Sequence, residues 1–497
     1  MVTFSSARWW ALGALVLSVL VLGLDATILN VALPTLATDL RATTGELQWI
    51  IDAYMVPFAA LMLPAGAFGD RFGRKRVLLG GLAAFGIASV VATFAEGTGS
   101  LIAARALMGT GAALIMPLSM SILPSVFGPE ERGKAIAVWS AAMALGLPLG
   151  PIVGGYLLDH YWWGSIFLIN IPVVLVSLVA AAVLLPESRD ASATRLDIPG
   201  ALLSVAGLAA LVYGVIQAPI DGWGDPAVLA SLAAGVVLLA AFVAVERRAT
   251  APMMDLGFFR SRVFLWGAVG ATLVSLGMSG LLFVMPQHLQ AVLGHDALGT
   301  GVRLIPMVAG LMAGGLAGER LVERLGLRSV MTAGLLLLAA GFAVGAATGA
   351  TSSYGFIAAW LAVVGAGVGL TMVPAMDGVL ATLPEERSGS GSATLQTMRQ
   401  VGGTMGVAGL GSLLSAVYAG GLPSGAPQMA KDSVTAAVAL GDPGLLHDAR
   451  EAFVSGMDVV LLLCGAASLV AAPLMLIFLP RSAPKTAKSE HELTSAR

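Results

Sequence analysis

A carboxylate stands in the middle of the first long apolar stretch of the chain: Asp25, in Leu24-Asp25-Ala26-Thr27-Ile28-Leu29-Asn30-Val31-Ala32-Leu33-Pro34. Placing such a charge in hydrocarbon costs from about 2.5 kcal/mol upward, so it is expected to face a partner or a cavity and to mark an ion or substrate path. Asp52, in Trp49-Ile50-Ile51-Asp52-Ala53-Tyr54, lies nearer the outer end of its segment and reads either as an interfacial acid or as a second site. Asp377, in Val373-Pro374-Ala375-Met376-Asp377-Gly378, leaves the same choice open at the inner end of its own, and Asp458 reads as the edge of the last segment. The cation to match them is Arg105, in Arg105-Ala106-Leu107-Met108-Gly109-Thr110-Gly111. It sits near a segment end, where a long basic side chain either snorkels to the interface or meets an acid. Burial opposes ionisation of a carboxyl and a nearby arginine favours it, so Asp25 beside such a cation is suited to taking up and releasing a proton. Tyr54, Trp139, Met285 and Gln287 are candidate cavity-lining residues, with Met278, Met307, Met312, Met372 and Met376 as flexible apolar neighbours or simple gap-fillers.

The elements that position these residues are membrane helices. With 497 residues, 57% of them hydrophobic and 11% charged, and a mean hydropathy of +0.88, the chain is too apolar for an ordinary soluble globule. A net charge of −2 with dispersed basic residues argues against a nucleic-acid partner. One cysteine, Cys464, excludes a disulfide framework and a thiol metal site. No His, Ser or Cys stands with an activating base, and the five histidines read as loop or helix-end residues, which disfavours a multi-pass membrane enzyme. Residues Ala11 to Gly23 have the look of a signal-peptide core, but the apolar run continues to Pro34, long enough to span.

Fourteen apolar segments approach the length of about 20 residues that a membrane helix needs. An even number places both termini on one side. With the N-terminus inside, 22 of the 27 Lys and Arg residues are cytoplasmic, the exceptions being Arg41, Arg105, Arg303, Lys431 and Arg450, as the positive-inside rule requires. Asp70-Arg71-Phe72-Gly73-Arg74-Lys75 is echoed by Glu323-Arg324-Leu325-Gly326-Leu327-Arg328, 253 residues on. Internal repeats of this kind mark secondary transporters. The expected organisation is a six-helix bundle at 9–186, two inserted helices at 197–246, a second six-helix bundle at 262–480 with an outer loop at 420–455, and a cytoplasmic tail at 481–497. Within the outer loop, Asp442-Pro443-Gly444 reads as the capped start of an amphipathic helix.

Four motifs carry a family resemblance. Gly66-Ala67-Phe68-Gly69-Asp70-Arg71-Phe72-Gly73-Arg74-Lys75 resembles the loop signature of the major facilitator superfamily, and Gly146-Leu147-Pro148-Leu149-Gly150-Pro151-Ile152-Val153-Gly154-Gly155 resembles the antiporter motif of its drug:proton exchangers. Leu24 to Pro34 is similar to the first-helix motif of the fourteen-span (DHA2) drug antiporters, and Phe167-Leu168-Ile169-Asn170-Ile171-Pro172 is similar to a motif of their multidrug and quaternary-ammonium pumps.

The resemblance implies an all-α major facilitator fold of two six-helix bundles plus two inserted helices, with both termini cytoplasmic, in the cell membrane of a bacterium. It implies a non-enzymatic, proton-driven exporter of lipophilic, cationic small molecules, working as a monomer without cofactor or metal. Asp25, Asp52 and Arg105 would couple protons; Asp52, Asp377, Tyr54, Trp139, Met285 and Gln287 would bind substrate. Gly66, Asp70, Arg71, Gly73, Arg74, Glu323 and Arg324 would form conformational latches, and Gly146, Gly150, Pro151, Gly154 and Gly155 a seal, where packing alone is the plainer explanation of the glycines. Export of a self-made antibiotic or other metabolite is the alternative. The segment after 394 carries no acid, so the cation contacts some relatives have there do not transfer.

Overall fold

A computed structural model describes residues 4–188, 197–249, 254–380, 382–383 and 388–480, and every regular element among them is a helix. Hydrocarbon offers no partner for peptide groups, so a spanning chain must satisfy them within its own helices. In the first half these are α1 (Phe4–Asp39), α2 (Thr44–Phe72), α3 (Arg74–Thr93), α4 (Thr98–Val126), α5 (Pro129–His160), the short α6 (Ser165–Leu168) and α7 (Asn170–Leu184). The pair α8 (Ile198–Asp221) and α9 (Pro226–Arg248) follows. The second half holds α10 (Arg262–Gln287), running into a π-helical turn at His288–Val292, then α11 (Ala297–Arg303), α12 (Ile305–Leu325), α13 (Leu327–Gly345) and α14 (Tyr354–Leu380). It ends with α15 (Ser388–Met405), a second π-helical turn (Gly406–Leu410), α16 (Gly411–Gly421), α17 (Gln428–Asp432), α18 (Val434–Ala439) and α19 (Pro443–Phe478). The tail expected at 481–497 lies outside the described residues.

Among the described residues twelve helical stretches are long and apolar enough to cross a membrane, and α2 makes a thirteenth if its arms Thr44–Met62 and Pro64–Phe72, bent by 60°, form one span. A proline removes a ladder donor and crowds the preceding turn, which accounts for a kink at Pro64. The antiporter-like helix α5 is 32 residues long and is not counted among them. Residues 443–455, read from sequence as part of an outer loop, form the first turns of α19, so Asp458 lies well inside a helix and not at its edge.

Contacts divide the chain into two compact units that do not follow the sequence halves. The first comprises Met1–Met253, Leu282–Leu304 and Val407–Gly456; the second comprises Met254–Leu281, Ile305–Gly406 and Met457–Arg497. The chain passes from one unit to the other within α10, at the turn between α11 and α12, inside the π-helical turn at 406–410 and within α19. In the first unit α1 lies on α5, and α4 packs on both α2 and α3. In the second unit α12 and α14 touch backbone to backbone, since a Cβ at Gly310 or Gly314 would collide with the carbonyls of Ala362 or Ala366.

Candidate functional site

Asp25 and Arg105 meet in the interior of the first unit. Arg105 Nη1 donates to Asp25 Oδ2 at 2.6 Å, and Asn170 Nδ2, at the start of α7, donates to Asp25 Oδ1 at 3.1 Å. Arg105 Nε donates to the Ile50 carbonyl at 3.1 Å, and the guanidinium lies 4.3 Å from the centroid of the Tyr54 ring. With Arg105 only 1% exposed, snorkelling is overturned: the guanidinium turns inward, where a carboxylate, a carbonyl and an aromatic face replace its water. Local helix geometry makes this possible. Ile50 and Tyr54 are one turn apart on α2, as are Arg105 and Gly109 on α4, and residues four apart share a face. A Cβ at Gly109 would run into the Tyr54 carbonyl, so this glycine lets the two helices close up beneath the arginine.

The other sequence candidates are dispersed. Asp52 is fully buried, and neither carboxyl oxygen has a hydrogen-bond partner among the described residues. Its place on α2, two residues from both Ile50 and Tyr54, turns it away from the face that meets Arg105. Trp139 on α5 donates its indole N–H to Ser119 Oγ on α4 at 3.1 Å. Met285 and Gln287 are buried in α10, and the Gln287 amide is bonded to its own helix at Phe283 O. Asp377 is exposed on α14 in the second unit, where Arg399, well inside α15, reaches Met376 Sδ at 3.5 Å and Gln396 Oε1 at 2.7 Å. Met307 is buried while Met312 is exposed, so the methionines do not share one environment. His288, read as a helix-end residue, is fully buried in the first π-helical turn with its ring 6.5 Å from that of Phe453.

The glycine-rich stretch of α5 has two working faces. Gly146, Gly150 and Gly154, at four-residue spacing, press on α1: a Cβ at Gly146 would stand 2.6 Å from Gly23 Cα, and at Gly150 or Gly154 it would strike Thr27 or Ile28. Thr27 Oγ1 donates to Gly146 O at 3.0 Å and fastens this contact. Pro151 and Gly155, rotated to the next face, meet α11 from the second half: a Cβ at Gly155 would stand 2.6 Å from Ala297 O, and one at Gly301 would strike the Pro151 carbonyl. Asp159, at the end of α5, accepts from Ala297 N at 3.2 Å and from Leu298 N at 3.0 Å, so it caps α11. At the same end of the first unit, Gln290 Nε2 donates to Val31 O at 2.8 Å and Thr44 Oγ1 to Asp432 O at 2.6 Å.

At the 66–76 loop Asp70 pairs with Arg74 at 2.7 Å, and Arg74 Nη1 donates to Ser121 O on α4. Arg71 lies over Phe72, while a Cβ at Gly66 would meet nothing within 4 Å among the described residues. Gly73 has φ +103°, and a Cβ there would stand 2.7 Å from Glu187 Oε1. Glu187, just past α7, accepts from Lys75 N at 3.1 Å and lies 3.5 Å from Arg76 Nε. The echo keeps the turn conformation, Gly326 having φ +80°, with Glu323 and Arg324 exposed on α12.

Residues 15–407 match the family signature described as the Major Facilitator Superfamily. The chain belongs to that superfamily. This facilitator is 36% identical over 463 residues to the multidrug efflux pump LfrA of Mycolicibacterium smegmatis, covering 90% of this chain and 92% of the pump. It is 32% identical to the tetracenomycin C resistance and export protein of Streptomyces glaucescens, covering 94% and 91% of the two chains. It is also 32% identical to the methyl viologen resistance protein SmvA of Salmonella typhimurium, covering 94% and 97%. Among solved structures, the inward-facing bacterial homologue of the lysosomal transporter Spinster superposes with a TM-score of 0.67 at 17% identity, covering 95% of this facilitator and 98% of that chain. The membership makes it a multi-pass membrane transporter and not an enzyme.

Sequence reasoning passed over Asn170, Gln48, Asp159 and Glu187. Asn170 carried a signal, as an amide opening an apolar run, and Asp159 another, as an acid closing the glycine-rich helix. Glu187 carried none: it looks like any acid in a charged loop.

Proposed function

We propose that this facilitator exports lipophilic, cationic drugs from a bacterial cell in exchange for protons, as a monomer with fourteen spans and both termini in the cytoplasm. The observation that carries the reading is the buried Asp25–Arg105 pair, which ties α1 to α4 and, through Ile50 O, to α2. A proton arriving at Asp25 Oδ2 neutralises the carboxylate and removes its ionic hold on Arg105, while the guanidinium keeps Ile50 O and the Tyr54 ring. Protonation thereby changes a contact between helices, and that is how a proton can alter a transport cycle. Asp52 supplies a second carboxyl, buried with no hydrogen-bond partner among the described residues. Contacts at the Thr44 and Asp159 end join α11, α16 and α18 to α1, α2 and α5, and they would serve as the outer gate. Asp377 is assigned to the cation path on the inner side.

The names of LfrA and SmvA, a multidrug pump and a methyl viologen resistance protein, support a broad or cationic cargo. A second reading, export of a self-made antibiotic, is favoured by the tetracenomycin C and puromycin resistance proteins among the relatives. The deciding experiment expresses the chain in an efflux-deficient strain and follows accumulation of a fluorescent lipophilic cation with and without a proton uncoupler. Uncoupler-sensitive exclusion supports the first reading. Unchanged accumulation together with resistance to an uncharged antibiotic would replace it by the second.

A further inference from the structure

The inserted pair α8 and α9 is fastened into the first unit by a buried polar seam. Gln48 on α2 is 1% exposed. Its side-chain amide nitrogen donates to Val407 O at 3.1 Å and Ala408 O at 3.0 Å, and lies 3.3 Å from Ser412 Oγ. The Ser412 hydroxyl donates to Val215 O on α8 at 2.9 Å. The Ser412 hydroxyl, its own proton given to Val215, turns lone pairs toward the amide, whose two N–H groups are shared among three acceptors. The Val407 and Ala408 carbonyls both lie in the π-helical turn 406–410, which departs from the regular ladder of the helix. Gly411 leaves the space for Gln48, since a Cβ there would meet the amide nitrogen.

Gly45, Gln48, Trp49 and Asp52 share one face of α2, at helical offsets of three, four and seven. Gly45 abuts Ile220, at 3.1 Å from a Cβ placed on it, and Trp49 lies 6.3 Å from the Tyr213 ring, both partners being on α8. The face that carries Gln48 therefore has the inserted helix on one side and the π-helical turn on the other. The unpartnered carboxyl of Asp52 is one turn along the same face.

We propose that Gln48 is a positioning residue of the transport cycle: through the π-helical carbonyls and Ser412 it binds α2, α16 and the inserted helix α8 into one closed end, so that the inserted pair belongs to the gate. The proposal rests on alternating access, as the function above does. Its test needs neither drug nor proton gradient, so the two stand or fall separately.

The reporter is Ala437→Cys in a Cys464→Ser background; Ala437 is fully buried on α18, which packs on α1. Purified full-length protein in liposomes is labelled with a membrane-impermeant maleimide. Gln48→Leu, which loses the bonds to both carbonyls, should be labelled at least about fivefold faster than the parent, the population shift expected from one buried hydrogen bond alone. Ser412→Ala, which cuts only the link to α8, should be labelled faster too, by a smaller factor. Gln48→Glu should be labelled fast at pH 8, where its carboxylate cannot donate, and nearer the parental rate at pH 5, where its acid O–H can; the parent at both pH values is the baseline. Parental rates in Gln48→Leu, or a Gln48→Glu rate that is fast at both pH values, overturn the positioning role. A parental rate in Ser412→Ala, a change too small to endanger folding, removes α8 from the gate even if Gln48→Leu cannot be purified.

Discussion

Arg105 Nη1 stands 2.6 Å from Asp25 Oδ2, with the two side chains 2% and 0% exposed. Breaking a buried pair by removing one partner costs about 3–5 kcal/mol, because the other charge is left without compensation. Arg105→Ala should therefore reduce the amount of folded protein in the membrane. Asp25→Asn also removes a charge of the pair but leaves the guanidinium an amide acceptor beside Ile50 O and the Tyr54 ring, so it should cost less folded protein than Arg105→Ala, and the protein that reaches the membrane should lose uncoupler-sensitive efflux. Full gradient-driven resistance in cells carrying Asp25→Asn would exclude Asp25 as the proton carrier. Arg105→Lys tests the fork, since a point ammonium cannot reproduce the rigid donor geometry that serves Asp25 and Ile50 O together; its efflux rate should fall below the parent's.

The two faces of the α5 glycines predict two phenotypes. Gly150→Ala drives a methyl into Thr27 and the α1 backbone, and overpacking of that kind costs about 1–3 kcal/mol. A lowered melting temperature in detergent is its readout. Gly155→Ala presses on α11 instead, so its defect should be a leak: liposomes holding it should dissipate an imposed pH gradient faster than parental ones. Tight liposomes would leave Gly155 a packing residue only.

Glu187 caps and pairs with the start of α3 at the surface, and exposed pairs contribute about 0–1 kcal/mol. Glu187→Gln and Asp70→Asn should each melt within a few degrees of the parent and yet transport more slowly. Normal transport by Asp70→Asn sinks the idea that this loop is a latch.

Gly73 and Gly326 both have positive φ, where an alanine costs roughly 1–2 kcal/mol. At Gly73 the new methyl also meets Glu187. Gly73→Ala should consequently lower stability more than Gly326→Ala, and adding Glu187→Ala should recover part of the difference. Equal melting shifts for the two single variants would show that Glu187 yields freely.

The fold class was legible in the apolar segments, the positive-inside bias and the repeat, because lipid imposes those patterns on every spanning helix. Asp25 and Arg105 were legible as well, since a charge in hydrocarbon is conspicuous wherever it stands. What the string could not reveal was who holds them: Asn170 is 145 positions from Asp25, and Ile50 contributes a backbone carbonyl, which no side-chain pattern records. The same holds for Gln48, whose acceptors are backbone carbonyls in a π-helical turn. The snorkelling alternative for Arg105 failed because sequence distance from a segment end does not say which way a long side chain turns. Asp458 was misplaced because the segment was started at its apolar part, while α19 begins at Pro443.

That last helix has a bearing on detection in living cells. At 1.5 Å per residue, the 36 residues of α19 form a rod about 54 Å long, against a hydrocarbon core of about 30 Å. Under the proposed topology, with both termini in the cytoplasm, the turns bearing His447 and Glu451, which face each other at 3.3 Å, would stand clear of the lipid on the outer side. An epitope placed in the short link at Gly441 would be read by antibody on unpermeabilised cells, offering a count of correctly inserted pumps without opening the membrane.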